Sequence, residues 1–157
     1  MRHFPLKNIV FIFSAVVGLS LLWACERHHE GDEEQLTETV NLFTTAYFNW
    51  HFQEALKNVD DDSRRWLVYA ATNVHQADID SLRAMKEGAS HEIDDVDYTS
   101  DTTAVAFVTV SNFLAMDTIG TSGHVVEKAK FALPLTYEKG EWQVSLRELP
   151  RQMKEHN

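Results

Sequence analysis

The sequence predicts an α+β domain in which N-terminal helices pack in the concave side of a curved antiparallel sheet. Three observations carry this expectation. Apolar residues recur at helical spacing as far as Met85, the period falls to two after Gly88, and a tight turn at 138–141 joins the last two extended runs. Helices followed by a meander leave each layer with one apolar side, and the two sides cover each other.

The elements follow in order. Asp32 and Gln35 have capping-box spacing for a helix start. Leu36, Val40, Phe43, Tyr47 and Trp50 then recur at steps of four, three, four and three, which makes one apolar face. A second element covers 52–59 and stops at the acidic turn Asp60-Asp61-Asp62. Ser63 is placed to cap a third helix, with Trp66, Leu67, Ala70 and Val74 on one side. Asp78 or Asp80 caps a short last helix carrying Leu82 and Met85, which Gly88 ends.

Beyond Gly88 the first strand, 91–99, is polar apart from Ile93 and Val96. The second, 102–114, is rich in β-branched residues. Strict alternation puts Val105, Phe107 and Phe113 on one face and Val108 and Val110 on the other. A glycine-containing connection, 117–123, leads to a strand over about 124–137 with Ala129, Phe131, Leu133, Leu135 and Tyr137 on one face. After the turn, Trp142, Val144 and Leu146 alternate with Gln143, Ser145 and Arg147. Pro150 ends that strand and 151–157 reads as a polar tail.

This arrangement, with FQEALKNV at 52–59 and YEKGEWQVSL at 137–146, resembles the nuclear-transport-factor-two-like (NTF2-like, cystatin-like cone) superfamily over residues 35–149. It is similar in particular to small lipoproteins of that superfamily. The resemblance implies a cone with an apolar pocket, for which Tyr47, Trp50, Trp66, Phe107 and Phe131 are the expected lining. It also implies that enzymatic members place acid–base groups in the cone. Tyr47 and His51 are the candidates here, since an i, i+4 pair shares a helix side. The plainer reading of that pair is a core tyrosine and a histidine at its wet edge. His75, His91, Asp94, Tyr98 and His124 are further polar candidates, although His91 and Asp94 fall on opposite faces of a regular strand. Sheet-face dimers occur in the superfamily, so a homodimer is a further expectation.

The N-terminus points to a compartment. Arg2 and Lys7 precede an uncharged apolar stretch, 9–24, and Leu22-Trp23-Ala24-Cys25 closes it with the only cysteine of the chain. That is the plan of a secretory signal, and the last four residues resemble the lipobox of bacterial lipoproteins. The resemblance implies cleavage before Cys25, acylation of the cysteine by palmitate or a similar chain, and attachment to a membrane of the bacterial envelope, the outer membrane of a diderm cell first. The alternative is an uncleaved signal anchor, for which 16 residues fall short of the about 20 needed to span a bilayer. Residues 1–24 are thus expected to be a leader, 25–34 a flexible acidic tether, 35–149 the domain and 150–157 a polar tail.

The leader holds two basic residues and no acidic one, so its removal takes the formal net charge from −10 to −12. A surface this acidic repels phosphate backbones, which excludes nucleic acid as a partner. With one cysteine, no disulfide forms within the chain and no zinc site of paired cysteines exists. His28 and His29 lack partners one turn away and read as polar filler. Asp60 to Asp62 lacks the alternation of a calcium loop and reads as a solvated turn. Neither cofactor nor metal is expected. The leading functional reading is a tethered, non-catalytic domain that binds a small apolar ligand or a protein. The alternatives are a cone enzyme (lyase, isomerase or hydrolase) and an accessory lipoprotein that uses the fold as a scaffold.

Overall fold

Helix α1 (Glu30–Phe48) buries Leu36, Val40 and Phe43 completely, as the four-and-three spacing requires. The computed structural model describes residues 30–116 and 121–154, so the leader, Cys25, His28 and His29 lie outside the described residues. The chain divides into two units after Gly31, and the second unit holds the sheet and the core. α1 begins at Glu30, inside the stretch expected to be a tether. Gln35 takes no part in a capping box. Its Oε1 accepts a hydrogen bond from the Trp142 amide at 3.2 Å, while Thr39 Oγ1 donates to the Trp142 carbonyl at 3.1 Å. The start of α1 is therefore pinned to the last strand.

Three further helices follow: α2 (Phe52–Ala55), continued by a 3-10 turn over Leu56–Asn58, α3 (Arg64–Thr72) and α4 (Gln76–Ala84). Ser63 precedes α3 but does not cap it. Its fully buried hydroxyl donates to the Asp60 carboxylate and accepts from the Leu146 amide at 2.6 Å. Together with a parallel bridge between Val59 and Val144, this docks the 59–63 turn onto the end of the sheet. Asp78 serves at the third position of α4. One carboxylate oxygen accepts the His75 amide at 2.8 Å and the other the Gly123 amide at 2.8 Å, so this buried acid ties α4 to the start of the third strand.

The sheet is a four-stranded antiparallel meander in the order β1 (Ser90–Ser100), β2 (Thr103–Ala115), β3 (His124–Glu138) and β4 (Glu141–Val144). Lys139 and Gly140 turn β3 into β4 with φ of 56° and 87°, the pair of left-handed residues that suits the twist of a two-residue hairpin. The tail is not free. Gln152 bridges Phe131, and the Met153 amide donates to the Lys130 carbonyl at 2.8 Å, along the part of β3 that β4 does not reach.

Alternation fails at one place, and the failure shapes the molecule. On β2 the buried residues are Ala104, Ala106, Val108 and Val110, then Phe113 and Leu114. Asn112 lies between them with φ of 54°, which turns the strand over. On β1 the register slips between Ile93 and Asp95. On β3 the inward residues change from Phe131 and Ala129 to Val126. Phe113 thus reaches the core face, whereas Phe107, expected beside it, sits half-buried on the opposite face with Val105.

That outer face carries a small polar cluster. Thr109 Oγ1 donates to Asp94 at 2.7 Å, and Lys130 Nζ lies 3.5 Å from the same carboxylate. The threonine hydrogen bond, with help from Lys130, holds the Asp94 carboxyl below the ordinary aspartate range. A depressed carboxylate stabilises the fold above its unfolded pKa, and that contribution is lost as pH falls through the folded value. Thr109→Val should therefore raise the Asp94 pKa toward the ordinary range in an NMR titration and flatten the acid limb of the stability profile. Ser63→Ala leaves the Leu146 amide buried without its acceptor and should cost about 1–3 kcal/mol in urea unfolding, with little change in the dependence on urea concentration.

Candidate functional site

The end of α1 builds the site. Trp50 occupies the left-handed position just past the helix, with φ of 61°. Its amide bonds the Tyr47 carbonyl at 3.0 Å, and the His51 amide bonds the Ala46 carbonyl at 2.8 Å. This pair of bonds is the Schellman stop, whose left-handed residue is usually glycine because a side chain there is strained. Asn49 secures the stop from the other side: its amide nitrogen donates to the Ala89 carbonyl at 3.1 Å and its oxygen accepts the Ala89 amide at 2.9 Å. A Cβ on Gly88 would come within 2.5 Å of Asn49 Oδ1, so a side chain there would displace the Asn49 amide from Ala89.

Held this way, the Trp50 indole swings to β2 and donates from Nε1 to the Leu114 carbonyl at 3.0 Å. Tyr47, Phe48 and Phe52 approach from the helices, and Phe113 and Phe131 from the sheet, around a cleft of about 240 Å³. The rings meet at angles. Phe48 lies 5.3 Å from Phe113 and 4.6 Å from Phe131, and Tyr47 lies 5.9 Å from Phe52. These are favourable edge and tilted contacts that make a rigid apolar wall. Met116 and His124 stand at the ends of the two strands, and Leu149 to Gln152 of the tail form the remaining side. Arg151 in that tail is paired with Glu148 at 2.8 Å.

Of the residues expected to line a pocket, the structure brings Tyr47, Trp50 and Phe131 together here. Phe107 is excluded because it lies between the inward Ala106 and Val108 and so faces outward. Trp66 is excluded because α3 directs Leu67 and Ala70 inward. Its ring lies half-buried beside them under the Arg65 guanidinium, 5.2 Å away. Tyr47 and His51 do not share a helix side, because α1 ends at Phe48 and the chain reverses at Trp50. Tyr47 is buried, and burial pushes its phenol well above the ordinary tyrosine value, so it stays protonated as a hydrogen-bond donor. His51 is exposed before α2.

The other polar candidates are dispersed. His75 precedes α4, and His91 Nε2 lies 2.9 Å from Asn41 Oδ1 on α1, with burial lowering the imidazole pKa. Asp94 belongs to the outer cluster, and Tyr98 packs 6.0 Å from Trp142. His124 alone of these joins the cleft. Among the described residues, no group of three or more His, Cys, Asp or Glu is placed to hold a metal ion. Also among them, no helix is long and apolar enough to cross a membrane. Sequence reasoning missed Phe48, Phe52, Phe113 and the tail as walls of the cleft. The signal for the first two was present in the aromatic run 47–52, whereas Phe113 required knowledge of the turnover at Asn112.

No family model matches the sequence, and no curated protein aligns with it significantly. Solved structures do align. An NTF-2-like protein of unknown function from Shewanella oneidensis is similar over 71% of this chain and 93% of its own, at 10% identity and a TM-score of 0.50. A ketosteroid isomerase-like protein from Erwinia carotovora atroseptica is similar over 74% of this chain and 92% of its own, at 16% identity and a TM-score of 0.49. At such identities the likeness is one of architecture. Helices laid in the hollow of a bent antiparallel meander, and the match to the Shewanella protein, give this domain the NTF2-like cone fold.

Proposed function

We propose that the chain is a lipid-anchored protein of the bacterial envelope whose cone binds a small apolar or amphipathic molecule. The observation that carries the binding half is the cleft of about 240 Å³ with six aromatic rings in its wall, Tyr47, Phe48, Trp50, Phe52, Phe113 and Phe131. Sites for small molecules are concave and mostly apolar, with a few polar groups that fix orientation. Tyr47, as a permanently protonated donor, and His124 and Gln152 at the ends of the wall supply that polar minority. The anchor half rests on Leu22-Trp23-Ala24-Cys25, which lies outside the described residues. Two or more acyl chains hold a protein on a bilayer where one gives only marginal attachment, at about 0.8 kcal/mol for each buried methylene.

Anilinonaphthalene sulfonate, whose fluorescence rises in apolar surroundings, should bind the purified domain saturably at one site. Met116→Trp narrows the cleft at its end and should weaken that binding by about tenfold, with the circular dichroism spectrum unchanged. Equal affinity in the variant would remove the cleft as the site. For the anchor, cells fed labelled palmitate should label the parent chain, while Cys25→Ser should take up no label and move from the membrane fraction to the soluble one. A variant that stays labelled and membrane-bound would end the anchor assignment.

A further inference from the structure

A second cleft of about 370 Å³ lies between the end of α1 and α4, lined by Ile79, Leu82 and Met85 on the α4 side. It shares only two lining residues with the aromatic cleft, Phe48 and Trp50. Phe48 is buried and wedged between Phe113 and Phe131, so it is a fixed wall. Trp50 is half-buried, and a single side-chain hydrogen bond, Nε1 to the Leu114 carbonyl, holds the indole. We propose that Trp50 determines ligand length: its indole is the partition between the two clefts, and the chemistry it selects is an unbranched alkyl or acyl chain with a polar head. This rests on the binding reading above and deepens it.

Two further observations support the assignment. The first is the backbone. Trp50 stands where a Schellman stop ordinarily has glycine, and a bulky residue at φ of 61° is strained. Helix termination is served better by glycine, so the indole is what the position retains. The second is volume. A cleft of 240 Å³ falls below the ~300–1,000 Å³ usual for drug-sized ligands, whereas joined to its 370 Å³ neighbour it falls within that range. On its α4 side the second cleft sets Ile79, Leu82 and Met85 beside Arg83, and Glu87 also lines it. An alkyl chain passing Trp50 meets Leu82 and Met85.

The test uses displacement of anilinonaphthalene sulfonate by octanoate and by myristate. Trp50→Gly removes the partition and also relieves the backbone, so the domain should remain folded. If it does not, Trp50→Asn, which also tolerates a positive φ, carries the same measurement. The parent should favour octanoate. The variant should favour myristate over octanoate about tenfold more than the parent does, because additional methylenes leave water. Adding Met85→Trp to Trp50→Gly should fill the second cleft and cancel the gain. A variant in which both acids shift together, or in which Met85→Trp leaves the myristate gain intact, overturns the partition. If the parent binds the fluorescent probe but its chain-length profile ignores Trp50, only the partition fails. If the parent binds neither probe nor acids, the binding reading fails and the partition falls with it.

Discussion

The contact of Phe48 with Phe113 and Phe131 joins the end of α1 to the sheet on both sides of its turnover. Without the turnover at Asn112, Phe113 would point to the outer face and α1 would end above a gap. With it, the sheet presents apolar residues along two successive directions, and the apolar face of α1 from Leu36 to Phe48 is buried. Each partner depends on the other. Asparagine tolerates the left-handed φ at 112, and that turn brings Phe113 to the rings of Phe48 and Phe131. The cleft is what remains between Trp50, these rings and the returning tail.

Much of the architecture was legible because it rests on periodicity, which is local. The face of α1 at Leu36, Val40 and Phe43, the change of period at Gly88, and the Lys139-Gly140 turn were all readable from neighbouring residues. What was not legible depends on contacts distant in sequence. Ser63 has the spacing of a helix cap, yet the Leu146 amide, 83 residues away and just past β4, claims its hydroxyl. Gln35 likewise answers Trp142 and not its own helix. Strict alternation along β2 puts Phe113 on the face of Phe107, since nothing in the residues around Asn112 announces a left-handed φ. The end of α1 was hidden for a similar reason: a tryptophan occupies the place where a glycine would have marked the stop, so Tyr47 and His51 looked like helix neighbours.

The placement of charge separates the two sides of the sheet. Inside, the walls are aromatic and the one strongly perturbed group, Tyr47, is neutral. Outside, Asp94 is held ionised beside Thr109 and Lys130. The cleft nevertheless carries Arg151 and His124 in its wall, at the side formed by the tail and the start of β3.

The fastening of Gln152 and Met153 to β3 has a consequence for solubility. A meander has two raw margins, and exposed backbone there invites neighbouring copies to stack into fibrils. On one margin Gln152 and Met153 occupy Phe131 and Lys130, sealing part of what β4 leaves bare. On the other, β1 carries Glu92, Asp94, Asp95 and Asp97, whose mutual repulsion discourages an identical strand from docking. Crowded at high local density, such molecules can lie side by side without knitting together.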